Sequence, residues 1–125
     1  MQTNRVRIFL ANENPALRSA LALLLETRLQ ADIVGETQNM ENLFSHLRLA
    51  RPDIVILDSD LPGLPQKNRV AVLHQKYPGL KVVILGSPPE APGRPAQADA
   101  YISKSEPPEK MVRVLRGIQS KGTSA

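Results

Sequence analysis

Residues 52–63 read PDIVILDSDLPG, four aliphatic residues (Ile54 to Leu57) that run into Asp58 just ahead of a Pro62-Gly63 turn. An unbroken Ile/Val/Leu run, as opposed to an alternating one, marks a strand covered on both faces, and such strands belong mainly to parallel sheets flanked by helices. Ligands of open sheets of that kind sit at the carboxyl ends of the strands. Asp58 is therefore expected at an exposed strand tip. Taken alone, it reads better as a turn-forming residue or the cap of a following helix.

Working outward, the same alternation of strand and helix recurs along the chain. Val6 to Ala11 is apolar and β-prone except for Arg7; Asn12, Glu13 and Asn14 interrupt it, and Pro15 opens a helical pattern. Leu17, Leu21, Leu24, Leu25 and Leu29 recur at helical spacing, and Leu23 broadens the stripe, which predicts a helix largely covered by its neighbours. Ile33 and Val34 read as a short strand ended by Gly35. Met40, Leu43, Phe44 and Leu47 form a second stripe behind Asn39 as N-cap, closed by Pro52. Val70, Leu73 and Tyr77 predict a third helix stopped by Pro78-Gly79, Lys81 to Leu85 repeats the buried-strand signal, and Ala100 to Ile102 makes a short last strand. Met111, Val112, Leu115 and Ile118 mark a final helix with Pro107 and Pro108 in its first turn, where a missing N–H costs little. The fold class is α/β with a parallel sheet and right-handed crossovers. One helix slot is defective: Pro88, Pro89, Pro92, Gly93 and Pro95 forbid an ordinary helix between Leu85 and Ala100. The polar tail from Gly117 to Ala125 is expected to fray.

A chain of 125 residues fits one domain. Residues 1–119 are assigned to it, with 120–125 as a tail or the start of a linker. With 42% hydrophobic but only 3% aromatic residues, the core is aliphatic, and stacking platforms for single-stranded nucleic acid are not expected. The 16 Lys+Arg against 12 Asp+Glu give a formal charge of +4, but the cations are scattered. Their one cluster, Lys110, Arg113, Arg116 and Lys121, fits the solvated side of a helix. Absence of cysteine excludes disulfides and thiolate metal sites. With no signal-peptide pattern and no membrane-length apolar run, a cytoplasmic location is the expectation. His46 and His74 lack metal-ligand spacing, Ser59 and Ser87 lack a nucleophile-elbow setting, and no Walker loop or dinucleotide-binding glycine fingerprint occurs.

Three strands end in polar groups: Asn12-Glu13, Asp58, and Ser103-Lys104. In a parallel sheet these ends share a rim. Two carboxylates and an amide there would attract a hard cation, and Mg²⁺ suits an open site completed by water and phosphate oxygens. Lys104 would add a compact positive charge for the same phosphate. A carboxylate beside such cations is a credible phosphoryl acceptor. Each residue also has a plain alternative: Glu13 solvating a loop, Lys104 simply exposed, Asn12 capping the helix that begins near Pro15.

Taken together, RIFLANENPALRSALALLL, DIVGE, PDIVILDSDLPG and ADAYISK, with the distance from Asp58 to Tyr77-Pro78, resemble the receiver domain of two-component response regulators from Arg5 to Gly117, and specifically receivers attached to helix-turn-helix transcription factors. The resemblance implies a doubly wound, flavodoxin-like five-stranded sheet of order 2-1-3-4-5, with the fourth helix degenerate or missing here. It implies that Asp58 is the phosphoacceptor, Lys104 the phosphate-contacting lysine and Tyr101 the switch aromatic. Glu13, Asp58 and the backbone carbonyl of Asp60 would hold Mg²⁺, with Asn12 a weak contributor through water. The family's switch hydroxyl falls at Gly86, leaving Ser87 as a substitute if the loop shifts. The implied function is signalling and not enzymatic, beyond slow self-dephosphorylation. A histidine kinase is the implied phosphoryl donor, and DNA is reached only through an effector domain outside this chain. Homodimers, if formed, are expected through the first and last helices, and no membrane partner is expected. Asn12, Gly86 and the Pro-rich stretch also suit an alternative, a pseudo-receiver that docks or dimerises without phosphorylation.

Overall fold

In an extended strand successive side chains point to opposite faces, so an unbroken aliphatic run must feed two cores at once. The computed structural model, which describes residues 5–65, 67–86 and 98–123 and side chains as far as residue 119, shows this division. Strands β1 (Arg7–Ala11), β2 (Asp32–Thr37), β3 (Ile54–Asp58), β4 (Lys81–Leu85) and β5 (Ala100–Ile102) alternate with helices α1 (Pro15–Arg28), α2 (Met40–Ala50), α3 (Arg69–Lys76) and α4 (Pro108–Thr123), α4 following β5. All strand pairs are parallel and the order is β2-β1-β3-β4-β5. On one face Ile8, Leu10, Ile54, Ile56, Val83 and Leu85 meet Leu21 and Leu25 of α1 and Met111 and Leu115 of α4. On the other, Phe9, Ala11, Val55, Leu57, Val82 and Ile84 meet Met40, Leu43 and Leu47 of α2 and Val70 and Leu73 of α3. Burying an aliphatic side chain contributes about 1.5–3 kcal/mol.

Local chemistry sets the boundaries. Asn14 caps α1, its Oδ1 accepting from the amides of Ala16 (2.9 Å) and Leu17 (3.2 Å), with Pro15 in the first turn. The cap is thus Asn14 and not Asn12, which leaves Asn12 for the rim. Asn39 caps α2 as expected, accepting from Asn42 N at 2.9 Å.

Three sequence expectations change. Strand β2 does not end at Gly35 but runs to Thr37. The glycine is there for Phe9, whose ring occupies the space that a Cβ at position 35 would take, and the register shifts between Ile8 and Phe9 to bring the two residues abreast. Helix α1 is not largely covered: Leu21 and Leu25 are buried and Leu17 and Leu29 pack beside them, but Leu23 is 66% exposed, because only one side of the helix faces the sheet. Helix α4 passes through Gly117 and residue 119 to Thr123 instead of fraying at the glycine, helped by Ile118 packing on the core. One helical glycine costs only about 1 kcal/mol. The Pro88–Pro95 stretch and Ser87 lie outside the described residues.

Candidate functional site

Strand register, not chain proximity, assembles the rim. Ala11 pairs with Leu57, which sets Asn12 beside Asp58; Asp58 pairs with Leu85, which sets Ser59 beside Gly86; and Leu85 pairs with Ile102, which brings the turn carrying Lys104 to the same edge. The sequence-predicted residues Asn12, Asp58 and Lys104 therefore meet.

Asp58 is only 5% exposed, and each of its oxygens is used. Oδ1 accepts the amide of Asp60 at 2.7 Å, and Oδ2 accepts both Asn12 Nδ2 at 2.9 Å and Lys104 Nζ at 2.8 Å. Lys104 Nζ also lies 3.5 Å from Asp60 Oδ2. A buried carboxylate with matched donors avoids the cost of an unpaired one. The hydrogen bond to Asp58 raises the pKa of Lys104 above its ordinary 10.5, burial working against it and the charges of Asp58 and Asp60 adding to it. The ammonium is thus charged throughout the physiological range.

Asn12 is held from three sides. Its amide donates to Thr37 O at 3.0 Å, its Oδ1 accepts from Asn14 N at 2.8 Å, and its carbonyl accepts from the Arg18 guanidinium, which is itself paired with Glu36 at 3.0 Å. With Oδ1 so occupied, the side chain can present only its NH₂ to Asp58. Asn12 is thereby a direct donor to the Asp58 carboxylate. Identity of the residue was visible in the sequence, but the direction of its amide was not.

The oxygens suited to a hard cation are those of Asp58, the exposed Glu13 beyond β1, and the Asp60 carbonyl. Among the described residues no group of three or more His, Cys, Asp or Glu is placed to hold a metal ion. The donor set, two carboxylates and a carbonyl, fits Mg²⁺ in kind.

Tyr101 lies half-buried on β5 against the α2–α3 side of the sheet. Burial raises its phenol pKa, the Ala98 backbone opposing the shift; the hydroxyl has no well-formed hydrogen bond among the described residues. Outside the rim, His74 Nε2 meets Asp99 Oδ2 at 3.1 Å, and His46 sits near the Phe9 ring. Arg113 and Arg116 are exposed, as a solvated helix face requires. No helix among the described residues is long and apolar enough to cross a membrane.

Comparison with known proteins bears on the family and the fold. The family model for the response regulator receiver domain matches residues 8–116. The chain is 29% identical over 84 residues to protein-glutamate methylesterase/protein-glutamine glutaminase 1 of Carboxydothermus hydrogenoformans, covering 67% of this chain and 24% of that protein. It is 24% identical over 119 residues to the response regulator UvrY of Escherichia coli K12, covering 92% and 55%. The crystal structure of a LuxR-family DNA-binding response regulator from Staphylococcus aureus superposes with a TM-score of 0.77 at 24% identity, covering 90% of this chain and 98% of that one. The chain spans about half the length of UvrY and a quarter of the methylesterase. A match across nearly the whole sheet, with the strand order found here, shows that this chain belongs to the response regulator receiver domain family, the signalling domain of two-component systems.

Proposed function

We propose that Asp58 is the phosphoacceptor of this receiver and that Lys104 and Asn12 hold the charge that accumulates there. The observation that carries this reading is the buried Asp58 carboxylate at a strand tip, 2.8 Å from the Lys104 ammonium. One Asp58 oxygen attacks phosphorus of a phosphohistidine on a partner kinase. An O–P bond forms as the P–N bond breaks, and the departing imidazole keeps the electron pair. Charge then spreads over the phosphoryl oxygens, beside an ammonium already in place, which avoids reorganisation during transfer. Asn12 keeps the carboxylate oriented by a bond that needs no cation. Glu13, Asp58 and the Asp60 carbonyl would hold Mg²⁺, which when bound neutralises phosphoryl oxygens. Slow hydrolysis of the acyl phosphate resets the site. Survival of the Asp58–Lys104 pair favours this reading over a docking module that is never phosphorylated.

Incubation with acetyl phosphate or with beryllofluoride and Mg²⁺ tests it, read by intact mass and melting temperature. The wild type should gain one phosphoryl mass and melt higher with beryllofluoride, and Asp58→Asn should do neither. A wild type indistinguishable from Asp58→Asn overturns the assignment.

The regulated output is proposed to be transcriptional, through an effector domain outside this chain, because a similar fold belongs to a DNA-binding response regulator. Such a module would work in the cytoplasm. For self-association, the face formed by the first and last helices is the best supported. An apolar groove of about 690 Å³ lies there, lined by Leu17, Leu23, Leu24, Pro107, Pro108 and Met111. Among the described residues, its exposed Leu23 is not packed against the core. Leu23→Glu should shift sedimentation of a phosphorylated dimer to monomer; an unchanged dimer places the contact elsewhere.

A further inference from the structure

Position 86, directly after β4, cannot carry a side chain at the rim. Its φ is +132°, a conformation that only glycine adopts without strain, and a Cβ built there would fall on the hydroxyl of Ser59. The two residues are locked in this relation by the sheet: Ser59 N donates to Leu85 O at 2.9 Å and Gly86 N donates to Ile102 O at 2.8 Å. The notch at the tip of β4 is thus filled from β3, by the residue that follows the proposed nucleophile.

We infer that Ser59 is a positioning residue for a phosphoryl group on Asp58, its hydroxyl donating a hydrogen bond to a phosphoryl oxygen on the β4 side of the site. The inference rests on the Asp58 assignment. The donors already aimed at Asp58 are Lys104 and Asn12 at one oxygen and the Asp60 amide at the other. A phosphoryl group adds three strong acceptor oxygens beyond them, and the side bounded by Ser59 and Gly86 carries no other side chain from position 86 to serve one. Ser59 is half-buried, so its hydroxyl is held at the rim yet open to an incoming group. A hydroxyl hydrogen turns freely toward the strongest acceptor within reach. A charge-assisted bond of this type is about twice as strong as a neutral one, which corresponds to roughly a tenfold effect on affinity.

Beryllofluoride titration with Mg²⁺, followed by melting temperature, tests this in wild type, Ser59→Ala, Ser59→Thr and Asp58→Asn. Ser59→Ala should bind about tenfold more weakly than wild type while melting at the same temperature without the ligand. Ser59→Thr, which keeps the hydroxyl, should restore most of the affinity, a rescue that a merely space-filling role would not produce. If wild type binds and Ser59→Ala binds equally well, or if Ser59→Thr is as weak as Ser59→Ala, the role of the hydroxyl is overturned while the phosphoacceptor reading stands. If wild type binds no better than Asp58→Asn, both fall together.

Discussion

Strand β3 is bracketed by two aspartates, Asp53 and Asp58, and their surroundings differ in kind. Asp53, at the amino end, is exposed and among the described residues bonds only to backbone: Oδ2 accepts Arg7 N at 2.8 Å, its own amide donates to Arg7 O at 2.8 Å, and its carbonyl accepts Lys81 N at 3.0 Å. Asp58, at the carboxyl end, is buried and bonds to the side chains of Asn12 and Lys104 as well as to a backbone amide. An acid satisfied by backbone fixes where strands start; an acid facing a side-chain ammonium can exchange that partner for a ligand. Asp99, just before β5, also accepts a backbone amide, Val82 N at 2.7 Å, but adds a side-chain partner, His74 Nε2 at 3.1 Å. Position along the strand thus separates Asp53 and Asp99 from Asp58, the one of the three that meets a side-chain ammonium among the described residues.

The sharpest way to break this contrast is to exchange the consequences of the two acids. Asp58→Asn should abolish phosphoryl uptake, whereas Asp53→Ala should leave uptake intact and cost about 1 kcal/mol in chemical denaturation, the worth of one hydrogen bond. Equal uptake defects in the two variants would remove the distinction. Lys104→Ala comes next: acetyl phosphate should label it about 100-fold more slowly, the usual effect of losing one preorganised charge donor. A rate within twofold of wild type would mean that the ammonium is a structural counter-ion only.

Asn12→Asp sharpens the contrast from the other direction. It replaces a donor 2.9 Å from Asp58 with a second carboxylate, so without metal the protein should melt about 5 °C lower. Added Mg²⁺ should recover that loss and raise melting further than it does for wild type, since the second carboxylate adds an oxygen ligand and a negative charge. Identical Mg²⁺ responses would show that the amide is not what limits the cation. The smallest effect is alkaline. Because the folded pKa of Lys104 is raised above 10.5, its stabilisation is complete below that pH and disappears as pH rises through the folded value. Lys104→Ala should lack this step in a melting profile against pH.

Much of the architecture was legible from periodicity. The aliphatic runs at Ile54–Leu57 and Lys81–Leu85 became β3 and β4, and the stripes at Met40–Leu47 and Met111–Ile118 became the buried faces of α2 and α4. The misreadings came where one residue type serves two purposes. Gly35 looked like a strand terminator, but it makes room for an aromatic ring on the neighbouring strand. Leu23 looked covered because hydropathy records what a residue prefers, not whether this domain supplies a neighbour.

By itself the sequence determined the order of strands and helices and the placing of Asp58 at the end of a buried strand, because both follow from local patterns of side-chain size and polarity. The tertiary structure alone decided that Asn12 turns its NH₂ toward Asp58, that Lys104 reaches the same oxygen, and that Ser59 fills the space above Gly86. Those contacts join residues 46 apart in the chain or more, or depend on which residue of one strand lies abreast of which on the next. Register is set by packing of the whole sheet against both helix layers, so no local stretch encodes it.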